Sequence, residues 1–413
     1  MLQLPLMMVI PFLVRYYLKG ENFTHNFRVF VIIGGIAWVL YGNLAFELAD
    51  HYDNFNSDDY GHLFRAKDFL LEMDIFFWDP WLEKLPVGNR LFQLWGATIM
   101  YFSGSEGGIL WVIHGFFGSW GGLTLARLFS SLSLQGHKNS LLFVLTIFLP
   151  SAVFWSTRNM KEPLLYWSVC QLLAATIQGA GISRVERISM ALLGWVMLGI
   201  MRPPIAVCWG LAAGWVTLMK KGLRLYALVL GIIVAPLLYV SIDDFTAGQA
   251  FEDPVELGQQ YAVRVSTEGG RNRAAIDYSQ GEVPIPFVSG FVSTFFRPFF
   301  WKMFVALRVL GTGIEIWTMS IMIVYGWWQM KGSERRRVLK APPVRAALIA
   351  VVLLCLPMSF IGNEGAVARY RVQVFPAIVT LAFVPFLQRK KSKISPNIHP
   401  HFTPLRGAFR SNA

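Results

Sequence analysis

Leu91-Phe92-Gln93-Leu94-Trp95-Gly96-Ala97-Thr98-Ile99-Met100-Tyr101-Phe102 is the stretch on which the topology turns. It is apolar, yet at about 12 residues it falls short of the roughly 20 that an α-helix needs to cross a bilayer. We read it as an interfacial or re-entrant helix. Longer apolar runs lie at about 2–18, 28–48, 107–130, 140–156, 163–180, 187–201, 203–219, 223–241, 300–330, 345–361 and 372–387. The first is interrupted by Pro5 and Pro11, so an interfacial position fits it too. Basic residues separate the runs in six places: Arg15, Lys19 and Arg28; Arg127 and Lys138; Arg184 and Arg187; Lys220, Lys221 and Arg224; the segment from Lys331 to Arg345; and the tail from Arg389. All six share the cytoplasmic side, where Lys and Arg collect, only if 91–102 does not cross.

Composition agrees with that reading. The 413 residues are 54% hydrophobic and 15% charged, with a mean hydropathy of +0.47. A soluble chain carries about 25% charge, so a typical cytosolic enzyme and a disordered or collagen-like chain are excluded. The net charge of +12 sits in short loops and follows from the topology; with no soluble basic domain, nucleic acid is not an expected partner. Cys170, Cys208 and Cys355 lie far apart inside apolar runs and are odd in number, which fits neither a disulfide framework nor a metal cluster. The N-terminal run lacks the basic flank and cleavage site of a signal peptide. The expected fold class is an all-α polytopic membrane protein of about 10–11 spans, one domain over 1–387, with a basic, disordered tail over 388–413.

Two long segments then fall outside, about 49–106 and 242–299. Between Ala49 and Arg90 the first holds nine acids against four bases. Within it, Asp53 precedes Ser57-Asp58-Asp59-Tyr60, and Leu63, Phe64, Leu70 and Leu71 recur near helical spacing, as in a helix lying on the membrane surface. Adjacent carboxylates at its start suit a general base or a divalent-metal site; Ser57 as N-cap with acids in the first turn explains the same residues structurally. Four outer turns carry cations against the positive-inside trend. The first runs from Pro150 through Arg158, Lys161, Glu162 and Pro163, where Glu162-Pro163 also reads as a simple helix start. The second is Arg202-Pro203-Pro204, an ionisable residue at a broken span or a plain hairpin turn. The third is Asn363 to Arg371, with Arg369-Tyr370-Arg371 ahead of the last run, where guanidinium forks match phosphate and an interfacial Arg-Tyr anchor fits equally. The fourth is Phe295-Phe296-Arg297-Pro298 leading into a run with Glu315, read as an aromatic belt and a helix–helix hydrogen bond. Together they describe an outer-leaflet site for an anionic lipid head beside a carboxylate base.

This layout resembles the GT-C glycosyltransferases, which use polyprenyl-phosphate-linked sugars, and among them the bacterial protein-mannosyltransferase-like group. The likeness runs in order from about residue 28 to 387. It rests on the acidic first outer loop, the amphipathic and re-entrant segments, the Pro150-Ser151…Trp155-Ser156…Lys161-Glu162-Pro163 turn, Arg202-Pro203, and Arg369-Tyr370-Arg371…Pro376. The resemblance implies a GT-C-like bundle in a bacterial inner membrane with its site facing the periplasm. It implies inverting transfer of a sugar from a polyprenyl-phosphate donor to a glycan, lipid or protein acceptor. Asp58 becomes the base, with Asp59 or Asp53 as alternates, and Arg158, Lys161, Arg202, Arg369 and Arg371 become ligands of the lipid phosphate. A divalent cation (Mg or Mn) at Asp58 and Asp59 is an option. The chain departs from the family in having Asp58-Asp59 where an Asp-x-Asp or Asp-Glu word is common, and in carrying no soluble C-terminal domain. Two other readings share the compartment. An O-antigen polymerase or ligase would use Arg264, Arg271 and Arg273 of the second outer segment. A flippase or transporter would use ionisable residues within spans, here mainly Glu315, with His114 and Glu47 nearer span ends.

Overall fold

The computed structural model describes residues 3–17, 25–51, 63–64, 66–67, 87–104, 107–132, 145–156, 158–177, 183–218, 288–299, 307–359 and 364–388. Among these residues the chain is all-helical, with no strand. The helices are α1 (Gln3–Tyr17), α2 (His25–His51), α3 (Val87–Ser103), α4 (Gly108–Leu132), α5 (Pro150–Ser156), α6 (Glu162–Ala175), α7 (Arg184–Met201), α8 (Pro203–Leu218), α9 (Val288–Phe296), α10 (Leu307–Gln329), α11 (Gly332–Leu339), α12 (Pro342–Met358), α13 (Glu364–Arg371) and α14 (Phe375–Gln388).

Local sequence sets several of these ends. Ser183 caps α7 by accepting the Glu186 N–H at 3.1 Å, so the helix starts ahead of the apolar run that predicts it. α6 stops at Ala175 because the Thr176 hydroxyl turns back onto the Leu173 carbonyl at 2.6 Å, the competition with helix that Ser and Thr side chains offer. Arg202 sits between α7 and α8 at φ −151° and ψ 83°, outside the helical region that a following proline disfavours.

α4 is the axis around which the N-terminal half packs. α1, α2, α3, α5 and α6 all lie against it. Its sequence Gly115…Gly118-Ser119…Gly121-Gly122 makes this possible: a Cβ on Gly118 would stand 2.2 Å from Ser156 Oγ, and one on Gly122 would stand 2.5 Å from the Ile147 carbonyl oxygen. Small residues bring helix backbones this close where a larger side chain would hold them apart. In the C-terminal half α12 packs on α8, α9 and α14, and α10 lies against α14. α14 also touches α4 and α6, and so ties the halves together. Trp111, Trp209, Tyr166, Phe129 and Phe383 fill the interior and are fully buried.

Among the described residues one helix, Gly108–Leu132, is long and apolar enough on its own to cross a membrane. Gly332–Leu339 and Pro342–Cys355 pass that test only as a pair bent by 80°. The predicted runs at 163–180 and 372–387 contain helices of 14 residues each, about 21 Å against the roughly 30 Å of a hydrocarbon core. The predicted run at 223–241 lies outside the described residues, as do 52–62 and 219–287.

Candidate functional site

The N-terminus of α6, the break between α7 and α8, and α13 meet at one end of the bundle. Glu162, in the turn ahead of the apolar run 163–180, is fully buried. Its Oε1 accepts from Arg202 Nη2 at 3.0 Å and from Arg369 Nε at 2.8 Å. The two guanidiniums come from positions 40 and 207 residues away, so tertiary structure alone assembles the cluster. Burial works against ionisation of Glu162, but the charges of Arg369 and Arg202 outweigh it and hold the carboxyl down at about 2. Arg202 also lies over the Tyr370 ring, 4.0 Å from its centroid, a cation–π contact. The Arg side chains keep 12% and 22% exposure while Glu162 keeps none, so the cations form the accessible rim and the carboxylate the floor.

The adjoining residues complete a polar surround. The Ile205 N–H, one turn on from Met201, donates to the Arg202 carbonyl at 3.0 Å instead of to the Met201 carbonyl, which Lys161 Nζ reaches at 3.5 Å. The Arg158 guanidinium stands 4.6 Å over the Phe154 ring. The Arg158 carbonyl is 2.9 Å from His114 Nδ1. A carbonyl only accepts, so Nδ1 carries the proton and Nε2 is an acceptor; Nε2 is buried and has no hydrogen-bond partner among the described residues. His114 stacks on Phe92 at 5.7 Å and lies within electrostatic reach of Glu162.

Arg371 goes elsewhere. Its Nη2 donates to the Ser293 carbonyl at 2.8 Å and also to the Arg297 carbonyl. It belongs to a second buried cluster with Glu315, whose Oε2 accepts the Ser151 N–H at 2.9 Å. Burial pulls the Arg371 guanidinium down to about 9, with Glu315 acting in the opposite direction, and it stays charged at neutral pH. Of the five cations predicted for a phosphate, Arg202 and Arg369 therefore converge, Lys161 and Arg158 flank them, and Arg371 points away into the bundle.

Asp53, Asp58 and Asp59, the predicted acids and metal ligands, lie outside the described residues, as do Arg264, Arg271 and Arg273. No group of three or more His, Cys, Asp or Glu side chains suited to a metal occurs among the described residues. The stretch after Asp59 is placed at four residues: Leu63, Phe64, Ala66 and Lys67 are helical, and Leu63 and Ala66 are buried in a cluster with Met100, Leu110 and Trp111. Leu110 and Trp111 begin α4 within a turn of His114, at the same end as Glu162. The residue that sequence reasoning undervalues is Glu162, which beside Pro163 reads as a helix start. The only signal available to it is an acid directly after two cations in a turn already marked for phosphate. No protein-family model matches the chain, and no curated protein or solved structure matches it either.

Proposed function

We propose that the chain is a polytopic membrane glycosyltransferase of the GT-C type, moving a sugar from a polyprenyl-phosphate donor to an acceptor at the outer leaflet. The observation that carries this reading is the convergence of Arg202 and Arg369 on buried Glu162, with Lys161 and Arg158 alongside. That arrangement is a preorganised cationic rim of the kind that stabilises a leaving phosphate. Lipid contact is supported by the apolar residues the bundle turns outward: Ile314, Ile321, Val324 and Trp328 on α10, Val185, Leu192 and Val196 on α7, Ile33, Leu40 and Leu44 on α2. Soluble monomers rarely expose stripes of this extent.

In the reaction proposed, the Asp58 carboxylate takes the proton of the acceptor hydroxyl as its oxygen bonds to C1 of the sugar. The bond from C1 to the phosphate oxygen breaks, and the lipid phosphate leaves with the electron pair towards Arg202 and Arg369. Asp58 precedes Leu63 by five residues, so the chain carries it no further than roughly 18 Å from that buried side chain. A divalent cation at Asp58 and Asp59 would add electrophilic assistance, and no step here depends on one.

The test is made on the full chain in nanodiscs. Wild type should bind a polyprenyl phosphate, and Arg369→Met, which leaves Arg202 on Glu162, should lose that binding while still eluting as a folded species. Asp58→Asn should bind the lipid normally yet release no lipid phosphate from a sugar-charged donor in membranes carrying the acceptor. Absence of binding by folded wild type to both the lipid phosphate and its sugar-charged form would remove the reading, and normal turnover by Asp58→Asn would remove Asp58 from the role of base.

A further inference from the structure

Among the described residues the Glu162–Arg202 pair is incomplete in a specific way. The guanidinium donates through Nη2 to Oε1 alone, an end-on contact where a guanidinium and a carboxylate commonly meet through two parallel bonds. The remaining Nη1 of Arg202 and the remaining Oε2 of Glu162 are both buried, and neither has a hydrogen-bond partner among the described residues. One of these atoms can only donate, and the other, on an ionised carboxylate, can only accept. Leaving either unmet is costly at a buried position. The complement is therefore a group that accepts at one point and donates at a neighbouring one. It must arrive past Arg202 and Arg369, which form the accessible side of the cluster.

A bare lipid phosphate does not meet that description. It is a monoester carrying about −1.5 to −2 charges at neutral pH. It offers acceptors to Arg202 Nη1 but little to donate to Oε2, and its charge repels Glu162. A glycosyl phosphate does meet it. Its diester oxygen accepts, it carries a single negative charge, and the hydroxyl on the neighbouring sugar carbon donates within a few bonds. We propose that Glu162 recognises the sugar hydroxyl adjacent to the phosphate while Arg202 and Arg369 hold the phosphate. The site is thereby selective for the charged donor over both its 2-deoxy form and the lipid-phosphate product. This rests on the proposed function, from which it takes the lipid-phosphate-sugar class, and adds the group that Glu162 reads. Glu162 is then a binding residue that also positions two arginines, and release of the product is favoured by the contact it lacks.

Binding to the full-length chain in nanodiscs tests this with four probes of one chain length: a polyprenyl phosphate, its glucose and mannose phosphodiesters, and the 2-deoxy phosphodiester that is the common parent of both sugars. At least one hydroxylated diester should bind wild type about ten- to a hundredfold tighter than the 2-deoxy form, the range for a hydrogen bond to a charged group. In Glu162→Gln, which keeps shape and loses charge, that ratio should fall to within about threefold. A purely structural Glu162 would change affinity for all four probes together and leave the ratio intact, which overturns the proposal. Equal affinity of wild type for hydroxylated and deoxy forms also overturns it, since a bridging water then completes the pair. That wild-type comparison stands even if Glu162→Gln fails to fold. If wild type binds none of the four, the proposed function itself falls; if it binds them without discrimination, only this inference does.

Discussion

Glu162 and Glu315 are both buried glutamates, both face arginine, and both keep one oxygen without a hydrogen-bond partner among the described residues. They differ in what encloses them. Glu162 is bonded to two guanidiniums that retain 12% and 22% exposure. Glu315 is bonded to the Ser151 backbone N–H, and the arginine within its reach, Arg371, is 1% exposed and tied to two backbone carbonyls. One cluster has cations on its rim. The other is a closed knot between α5, α9, α10 and α13. A buried charge alone does not mark a functional site, because Arg371 is buried as a tie between backbone carbonyls; a path from the exterior to the charge makes the difference.

The largest effect expected is at the knot. Arg371→Met frees the buried Ser293 and Arg297 carbonyls and removes the positive charge within electrostatic reach of Glu315. Leaving these buried carbonyls without their donor costs about 1–3 kcal/mol each, which should show as a sharp fall in melting temperature or in the yield of monodisperse protein. Arg369→Met should behave differently. Glu162 keeps Arg202, the lost side chain is part-exposed, and the cost should be about 1–2 kcal/mol, with polyprenyl-phosphate binding lost from a protein that still folds. If Arg369→Met collapses as Arg371→Met does, the distinction between rim and knot is broken.

Proton linkage sharpens the comparison further. The folded value for Glu162, about 2, lies below its ordinary 4.5. The charged form is therefore favoured by folding, and its contribution is fully present above about pH 4.5 and is lost as the pH falls through about 2. The melting-temperature difference between wild type and Glu162→Gln should accordingly stay flat from about pH 5 to 8. A difference that titrates near pH 6 would mean that Glu162 is not held by its arginines. Any acid limb of transfer activity above about pH 4.5 then belongs to another group, and Asp58 with Asp59 are the ones to substitute.

Much of this arrangement was legible in the chain and part was not. Hydrophobic runs marked the helices, and Pro203-Pro204 marked the break that presents Arg202. The turns holding Lys161, Arg202 and Arg369 stood out because cations opposed the charge trend. Arg371 could not be separated from Arg369 by composition: two residues on a helical turn differ by about 200° in direction, so one reaches Glu162 and the other reaches α9. Glu162 itself was hidden because its meaning lies in partners 40 and 207 residues distant, and no local spacing encodes them. The short lengths of α6 and α14 were also not foreseeable from hydropathy, since Thr176 ends the first through its own hydroxyl.

The smallest effect expected is at the opposite end of α4, and it supplies the control. Arg127 Nη1 donates to Glu186 at 2.6 Å, with side chains 15% and 21% exposed, and its guanidinium also stands 5.1 Å over the Tyr16 ring. This pair has the chemistry of the Glu162 cluster without its burial: solvent reaches both partners, and one cation meets one acid. Pairs of this kind contribute about 1 kcal/mol or less, and salt screens them. Arg127→Ala should therefore shift the melting temperature slightly, the shift should shrink further as salt is raised, and polyprenyl-phosphate affinity should match wild type. A loss of lipid binding in Arg127→Ala would mean that cationic charge anywhere on the bundle recruits the lipid, and the special standing of the two arginines on Glu162 would be lost with it.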